Sequence, residues 1–280
     1  MCIRDRLEKR YPDLKKSEEK TLSVFWDLWI QTGKTPVHRP EMTRQYTGAG
    51  KALKSLVERG ILSVKQQRVY RDPLGRQPRH SPRPEQLTPD QELVLAELAP
   101  FLRQPCFQPF LLHGVTGCGK TEVYLQAAEQ VLNSGRGVLV LVPEIALSSQ
   151  LEAHFYSRFG DVLAVLHSGL SSGERHDQWQ RINRGQARVV VGARSAVFAP
   201  LADPGLIIVD EEHEPAYKQE DGLRYSGRDL AILRARFAAC PVVLGSATPS
   251  VTSYSHARSG KYRLLQMPSR IPVSYTHLTL

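Results

Sequence analysis

The sequence predicts an α/β fold, a parallel sheet with helices on both faces, preceded by a small helical domain. Three observations predict it. From residue 110 onward, short apolar runs rich in β-branched residues alternate with amphipathic segments, the pattern of strands linked through helical crossovers. Residues 114–121, reading G-V-T-G-C-G-K-T, place a glycine-rich turn between the first such run and the first amphipathic segment. A Pro- and Arg-rich stretch at 71–86 separates this part from a basic, helix-patterned segment before it, as a linker between domains does.

In chain order, residues 1–6 (M-C-I-R-D-R) and 273–280 (V-S-Y-T-H-L-T-L) do not continue the patterns beside them. They are read as non-native tails, and the chain as an internal fragment of a longer protein. Residues 7–70 form the first domain. Ser17 caps a helix with apolar positions at Leu22, Phe25, Trp26, Leu28, Trp29 and Ile30, stopped by Gly33; the tryptophans are expected in its core. A second helix fits 40–46. A third fits 49–59, with Ala52, Leu53, Leu56 and Val57 inward and Gly60 closing it. Residues 61–69 alternate as a strand and wing. This order resembles a winged helix. Its third helix, with Lys51, Lys54 and Arg59, would face DNA, or the domain would serve protein contacts alone.

Charge follows the same division. Residues 1–86 hold 19 Lys and Arg against 10 Asp and Glu, whereas 87–280 hold 18 of each. The whole excess of +9 therefore precedes Leu87, which suits a nucleic-acid-facing module joined to a balanced catalytic one, or a solubilising face. No apolar run is long enough to span a bilayer, and the charged start lacks the apolar stretch of a signal peptide. A cytoplasmic protein without membrane contacts is expected. Cys2, Cys106, Cys118 and Cys240 form no C-x-x-C pair, so neither a zinc site nor a disulfide framework is expected.

The second domain covers 87–272. Thr88 is placed to cap a helix with Pro89 at its first position and Gln91 close behind. A glutamine just upstream of a phosphate-binding loop reads adenine in nucleic-acid translocases. Residues 110–113 form a buried strand, and the loop after it matches G-x-x-x-x-G-K-[ST]. Gly114, Gly117 and Gly119 let the backbone turn its N–H groups toward a phosphate. Thr116, Cys118 and Glu122 complete the cradle. Lys120 supplies a cation for the β- and γ-phosphates, and the Thr121 hydroxyl a ligand for Mg²⁺. A helix follows over 121–132. Strands are expected at 138–142, 162–166, 189–191, 206–209 and 242–244, with helices at 147–159, 174–184 and 226–238. In such sheets nucleotide binds at the carboxyl ends of the strands.

Residues 206–213 read L-I-I-V-D-E-E-H, an apolar strand ending in acids. Asp210 at its tip can hold Mg²⁺, and Glu211 can orient and deprotonate a water attacking the γ-phosphate. After the next strand, G-S-A-T-P at 245–249 can bridge these acids to a nucleic-acid surface through the Ser246 and Thr248 hydroxyls. Together the three blocks resemble the first, RecA-like lobe of superfamily-two helicases.

Further blocks narrow that resemblance. They are L-V-P-E-I-A-L at 141–147, L-H-S-G-L at 166–170, V-G-A-R-S-A-V-F-A-P at 191–200, Y-K-Q-E-D-G-L-R-Y at 217–225 and K-Y-R-L-L at 261–265. In this order they are similar to the bacterial primosomal replication-restart helicases. The resemblance implies an ATP- and Mg²⁺-dependent DNA helicase moving 3′ to 5′. It implies single-stranded and forked DNA, other primosome proteins and single-stranded DNA-binding protein as partners. It implies DNA contacts by Pro143 and Glu144, and by Gly192, Arg194 and Ser195. It further implies that Tyr217, Lys218, Arg224, Tyr225 and Arg228 form an aromatic loop that senses DNA and, with His213, couples it to hydrolysis. Cys118 stands where the family usually has Ser, and Ala193 where it has Thr. The family's zinc-binding cysteines and second lobe are absent from the sequence. Because the second lobe supplies arginines to the ATP site, little hydrolysis is expected of this chain alone. The alternatives are another superfamily-two translocase in repair, which the loop at 217–225 disfavours, and a winged-helix regulator with a vestigial ATP site.

Overall fold

The computed structural model describes residues 13–31, 33, 37–64, 83–143 and 149–271, with the backbone alone for 149–152. The chain divides into two compact units, 1–69 and 70–280.

In the first unit α1 (Lys16–Gln31), α2 (Arg39–Gln45) and α3 (Ala49–Glu58) follow one another. Leu28, Met42, Ala49 and Leu53 form their shared core. Gly33 and Gly60 end α1 and α3 in the left-handed conformation that glycine adopts without strain. Ser17 lies inside α1 and does not cap it. The first-turn N–H groups are instead met by the backbone of Lys15, whose own N–H donates to Glu18 (2.9 Å). Trp26 and Trp29 pack against each other, centroids 4.9 Å apart, and are half-buried. Residues 61–64 form no strand, and the wing expected at 65–69 lies outside the described residues, as do the tails at 1–6 and 273–280.

Glu18 is the buried charge of this unit, 1% exposed. Its carboxylate accepts from Ser55 Oγ (2.6 Å) and from Arg59 Nη1 (2.9 Å). Arg59, read from sequence as facing DNA, is thus held by an internal partner, while Lys51 and Lys54 are exposed. The Ser55 hydroxyl and the Lys15 N–H, with Arg59, hold the Glu18 carboxyl below its ordinary range against the opposing effect of burial. A depressed carboxylate contributes stability above its unfolded pKa of about 4.3 and loses it as pH falls through the folded value. Glu18→Ala should therefore cost this unit about 2–3 kcal/mol at pH 7, below the range for a fully buried pair because Arg59 reaches solvent. The wild-type and variant denaturation midpoints, followed by Trp26 and Trp29 fluorescence, should converge below about pH 4. An unchanged midpoint at pH 7 would show the pair to be energetically idle.

The second unit is built on seven parallel strands in the order β3-β4-β2-β5-β8-β1-β9. They are β1 (Pro109–Gly114), β2 (Gly137–Leu141), β3 (Leu163–Leu166), β4 (Val189–Gly192), β5 (Pro204–Val209), β8 (Val242–Ser246) and β9 (Arg263–Met267). Helices α4 (Pro89–Arg103), α5 (Lys120–Asn133) and α6 (Ser149–Phe159) cover one face, where Leu98, Val123, Val131 and Phe155 meet the sheet. Helices α7 (Ser172–Asn183) and α8 (Gly227–Phe237) cover the other through Ile182, Ala231 and Ala235. Burial on both faces explains why the strands read as unbroken apolar runs. A two-stranded hairpin, β6 (Lys218–Gln219) with β7 (Tyr225–Ser226), and the short α9 (Val251–Arg258) complete the unit. The expected strands and helices are present. The sequence reading did not anticipate β9, which pairs with β1 along Phe110–Gly114, or α9.

Candidate functional site

The site gathers at the carboxyl ends of β1, β5 and β8. The loop after β1 turns through Gly117 (φ 80°) and Gly119 (φ 85°), where other residues would be strained. A side chain at Gly119 would meet Gln91 Nε2 at 2.4 Å, and one at Gly114 would meet Cys118 Sγ at 2.7 Å. The loop therefore needs these glycines to keep its backbone close to whatever it cradles. Lys120 opens α5. Its Nζ donates to Gly114 O (2.9 Å) and lies 3.8 Å from Glu211 Oε1. Thr121 follows in the first turn of that helix. Thr116 and Gly117 are exposed. Cys118 is buried, and burial pushes its thiol up against the pull of Lys120.

Asp210 and Glu211 arrive from β5, directly beside β8 in the sheet. The Asp210 N–H donates to Leu141 O (2.9 Å), and Asp210 Oδ1 accepts from the Tyr124 hydroxyl (2.9 Å). Burial pushes the Asp210 carboxyl above its ordinary range, and Glu211 adds to this; Tyr124 and Lys120 oppose it. Glu211 has φ 45°, an uncommon conformation for a non-glycine residue and one found at functional turns. His213 Nδ1 meets Ser246 Oγ at 2.8 Å, and Ser246 Oγ accepts from the Thr248 N–H (2.9 Å). His213 and the small hydroxyls at and after the end of β8 are thus one connected network, and Glu211 Oε2 lies 3.7 Å from His213 Nδ1.

Several candidate residues are held by partners within the protein. The Gln91 side chain accepts from the Thr88 N–H (2.8 Å) and donates to Gly119 O (3.2 Å). Each end of its amide makes one of these bonds, so in this conformation it ties the loop to α4. Glu122 pairs with Arg158 (3.0 Å) and accepts from Gln126 (2.7 Å), which joins α5 to α6 and not to a phosphate. Tyr217 is 2% exposed, and its hydroxyl donates to Asp210 O (2.7 Å). It links the hairpin to the acid and is not open for base stacking. Arg194 donates to the carbonyls of Ala216 and Lys218 and lies over the Tyr225 ring, 5.8 Å from its centroid. Tyr225 also meets the Phe198 ring at 5.1 Å. Arg228 pairs with Glu212 (3.1 Å) and Asp229 (2.9 Å). Gly192 is buried, where a side chain would meet Leu166 O at 2.3 Å, so glycine there serves packing. Pro143 is buried as well, whereas Ser195, Lys218, Arg224 and Thr248 are exposed. Glu144 lies outside the described residues.

Sequence reasoning overlooked two residues. Glu212, the second Glu of D-E-E-H, is buried and accepts from the Ser250 N–H (2.7 Å) and Ser253 Oγ (2.9 Å). Tyr124, to which sequence reasoning gave no role of its own, supplies the only hydroxyl on the Asp210 carboxylate among the described residues. Its place one helical turn after Lys120 was the available signal.

The positive-φ glycines, the cation of Lys120 and the acids facing it fit a magnesium-bound nucleoside triphosphate. Among the described residues no group of three or more His, Cys, Asp or Glu could hold a metal ion. That is compatible with Mg²⁺, which keeps waters and takes phosphate oxygens beside one or two protein ligands. No helix of the described residues is long and apolar enough to cross a membrane.

Residues 88–256 match the DEAD/DEAH box helicase family. Over 268 residues the chain is 41% identical to the replication restart protein PriA of Bacillus subtilis (strain 168), covering 96% of this chain and 33% of that protein. It is 51% identical over 162 residues to the replication restart protein PriA of Treponema pallidum (strain Nichols), covering 58% of this chain and 25% of that protein. The chain thus spans about a third of the length of the first relative and a quarter of the second. In fold it is similar to RecG bound to a three-way DNA junction, with a TM-score of 0.50 at 17% identity, covering 97% of this chain and 31% of that one.

Proposed function

This chain belongs to the DEAD/DEAH box helicase family, and from that premise we propose that it is the nucleotide-binding lobe, with an upstream DNA-binding domain, of an ATP-driven DNA helicase. The identity to replication restart proteins supports a 3′-to-5′ motor that acts on forked DNA in replication restart, together with single-stranded DNA-binding protein and other primosome components. We infer the domains proposed from sequence: a winged helix at 7–70, a linker at 71–86 and the lobe at 87–272, a reading that the division into units at 1–69 and 70–280 supports.

One observation carries the reading. The Tyr217–Tyr225 segment is hydrogen-bonded through the Tyr217 hydroxyl to the backbone carbonyl of Asp210, next to Glu211, the acid 3.8 Å from Lys120. An element suited to touching DNA is therefore built onto the element suited to handling phosphate. Lys120 holds the β- and γ-phosphates, and the loop N–H groups surround them. Thr121 and Asp210 hold Mg²⁺, which neutralises charge on the phosphates when bound. Glu211, turned by its positive φ, orients and deprotonates the attacking water. His213, Ser246 and Thr248 transmit the state of the acids to the DNA-facing edge. Lys218, Arg224 and Ser195 present polar atoms there.

The expected test is single-stranded DNA binding measured across a salt series. Each phosphate contact on a single strand contributes about 0.7 to the slope of log K against log salt. Replacing Lys218 and Arg224 together by Ala should reduce that slope by about 1.4, with ATP-analogue binding retained. An unchanged slope would remove the hairpin from the DNA interface.

A further inference from the structure

The Tyr124 hydroxyl stands where three parts of the site meet. Tyr124 lies on α5, one turn after Lys120, and is 1% exposed. Its hydroxyl donates to Asp210 Oδ1 at 2.9 Å. The same oxygen lies only 1.7 Å from where a side chain would begin at Gly245, at the end of β8. Phenylalanine would fill the apolar part of this volume equally well. A buried phenol, by contrast, demands a partner, and the partner here is the carboxylate assigned to Mg²⁺.

We propose that Tyr124 is a positioning residue for magnesium, fixing one oxygen of Asp210 so that the other is presented to the metal or its water, and that Gly245 is glycine because the Tyr124 hydroxyl occupies the space of its side chain. This rests on the magnesium role given to Asp210 above. The hydrogen bond sets the carboxylate's rotation about its last side-chain torsion, which is otherwise broad and cheaply turned. Partners that orient a metal ligand typically change metal affinity 10- to 100-fold when removed. Tyr217 acts on the same residue from the other side, through the Asp210 carbonyl. The acid is thereby fixed at both backbone and side chain.

The test titrates a fluorescent ADP into the full chain with saturating Mg²⁺ and again with EDTA, and takes the ratio of the two affinities. A general loss of nucleotide binding or of folded protein affects both arms and cancels. Tyr124→Phe should lower the magnesium-dependent gain by roughly tenfold. Gly245→Ala, which keeps the hydroxyl but displaces it, should do the same. Asp210→Asn should remove most of the gain. A Tyr124→Phe ratio equal to wild type, beside a collapsed ratio in Asp210→Asn, overturns the inference alone. An Asp210→Asn ratio equal to wild type overturns the magnesium role of Asp210 and the inference with it.

Discussion

Lys120→Ala should weaken binding of magnesium-bound ATP roughly 30- to 150-fold, with little loss of stability. The Lys120 side chain is 10% exposed, and its ammonium makes one hydrogen bond to a neutral acceptor, Gly114 O, and one looser contact, to Glu211. Neither is geometrically demanding, and both are exchanged for phosphate oxygens when nucleotide enters. A charge-assisted hydrogen bond to a charged acceptor is worth about 2–3 kcal/mol, and 1.4 kcal/mol is tenfold in affinity. The folded state loses little, because removal leaves only a carbonyl and a partly exposed carboxylate without a donor. Isothermal titration of ATPγS with Mg²⁺ measures the first quantity and thermal unfolding the second. A variant that binds as wild type does would mean that the glycine loop cradles something other than phosphate.

Glu212→Ala should have the opposite character, costing about 3–5 kcal/mol of stability in the second unit. The Glu212 side chain is fully buried and accepts from the Ser250 N–H, Ser250 Oγ, Ser253 Oγ and Arg228 Nη1, all within 3.1 Å. Truncation leaves the N-terminal turn of α9 with unsatisfied donors and Arg228 with Asp229 and the Ser250 hydroxyl. Breaking a buried pair costs more than the pair itself contributes, because one charge stays behind. For a unit of this size the expected fall in melting temperature is on the order of 10 °C. Urea unfolding followed by Trp179, which lies on α7, reads it directly. A loss below about 1 kcal/mol would show that water satisfies the network once the carboxylate is gone.

These two residues mark where the sequence was legible and where it was not. Lys120 could be placed from the sequence because everything that positions it is local: a strand, three glycines, a cation and a helix are consecutive. The sheet was legible for the same reason, since each strand buried on both faces is a short unbroken apolar run. Glu212 was not legible, because its partners lie 16, 38 and 41 residues away and only the neighbouring positions of β5 and β8 bring them together. The internal partners of Arg59, Arg194, Glu122 and Gln91 were equally illegible. Each has the right chemistry for an external ligand, and each is engaged by an internal partner that local spacing does not reveal. Strand β9 was missed because Arg263 and Gln266 interrupt its apolar pattern, as suits a strand at the sheet edge.

The most direct test of a nucleotide site joined to a DNA-facing hairpin is the affinity of magnesium-bound ATPγS with and without saturating single-stranded DNA. Two sites coupled through Tyr217 and Asp210 must change each other's affinity by the same factor, typically about 5-fold or more. A change of that size, reciprocated when nucleotide is held fixed and DNA is titrated, and lost in Lys120→Ala, is the expected result. Nucleotide binding that is indifferent to DNA would contradict the coupling and leave a phosphate-binding lobe with no link to its neighbouring surface.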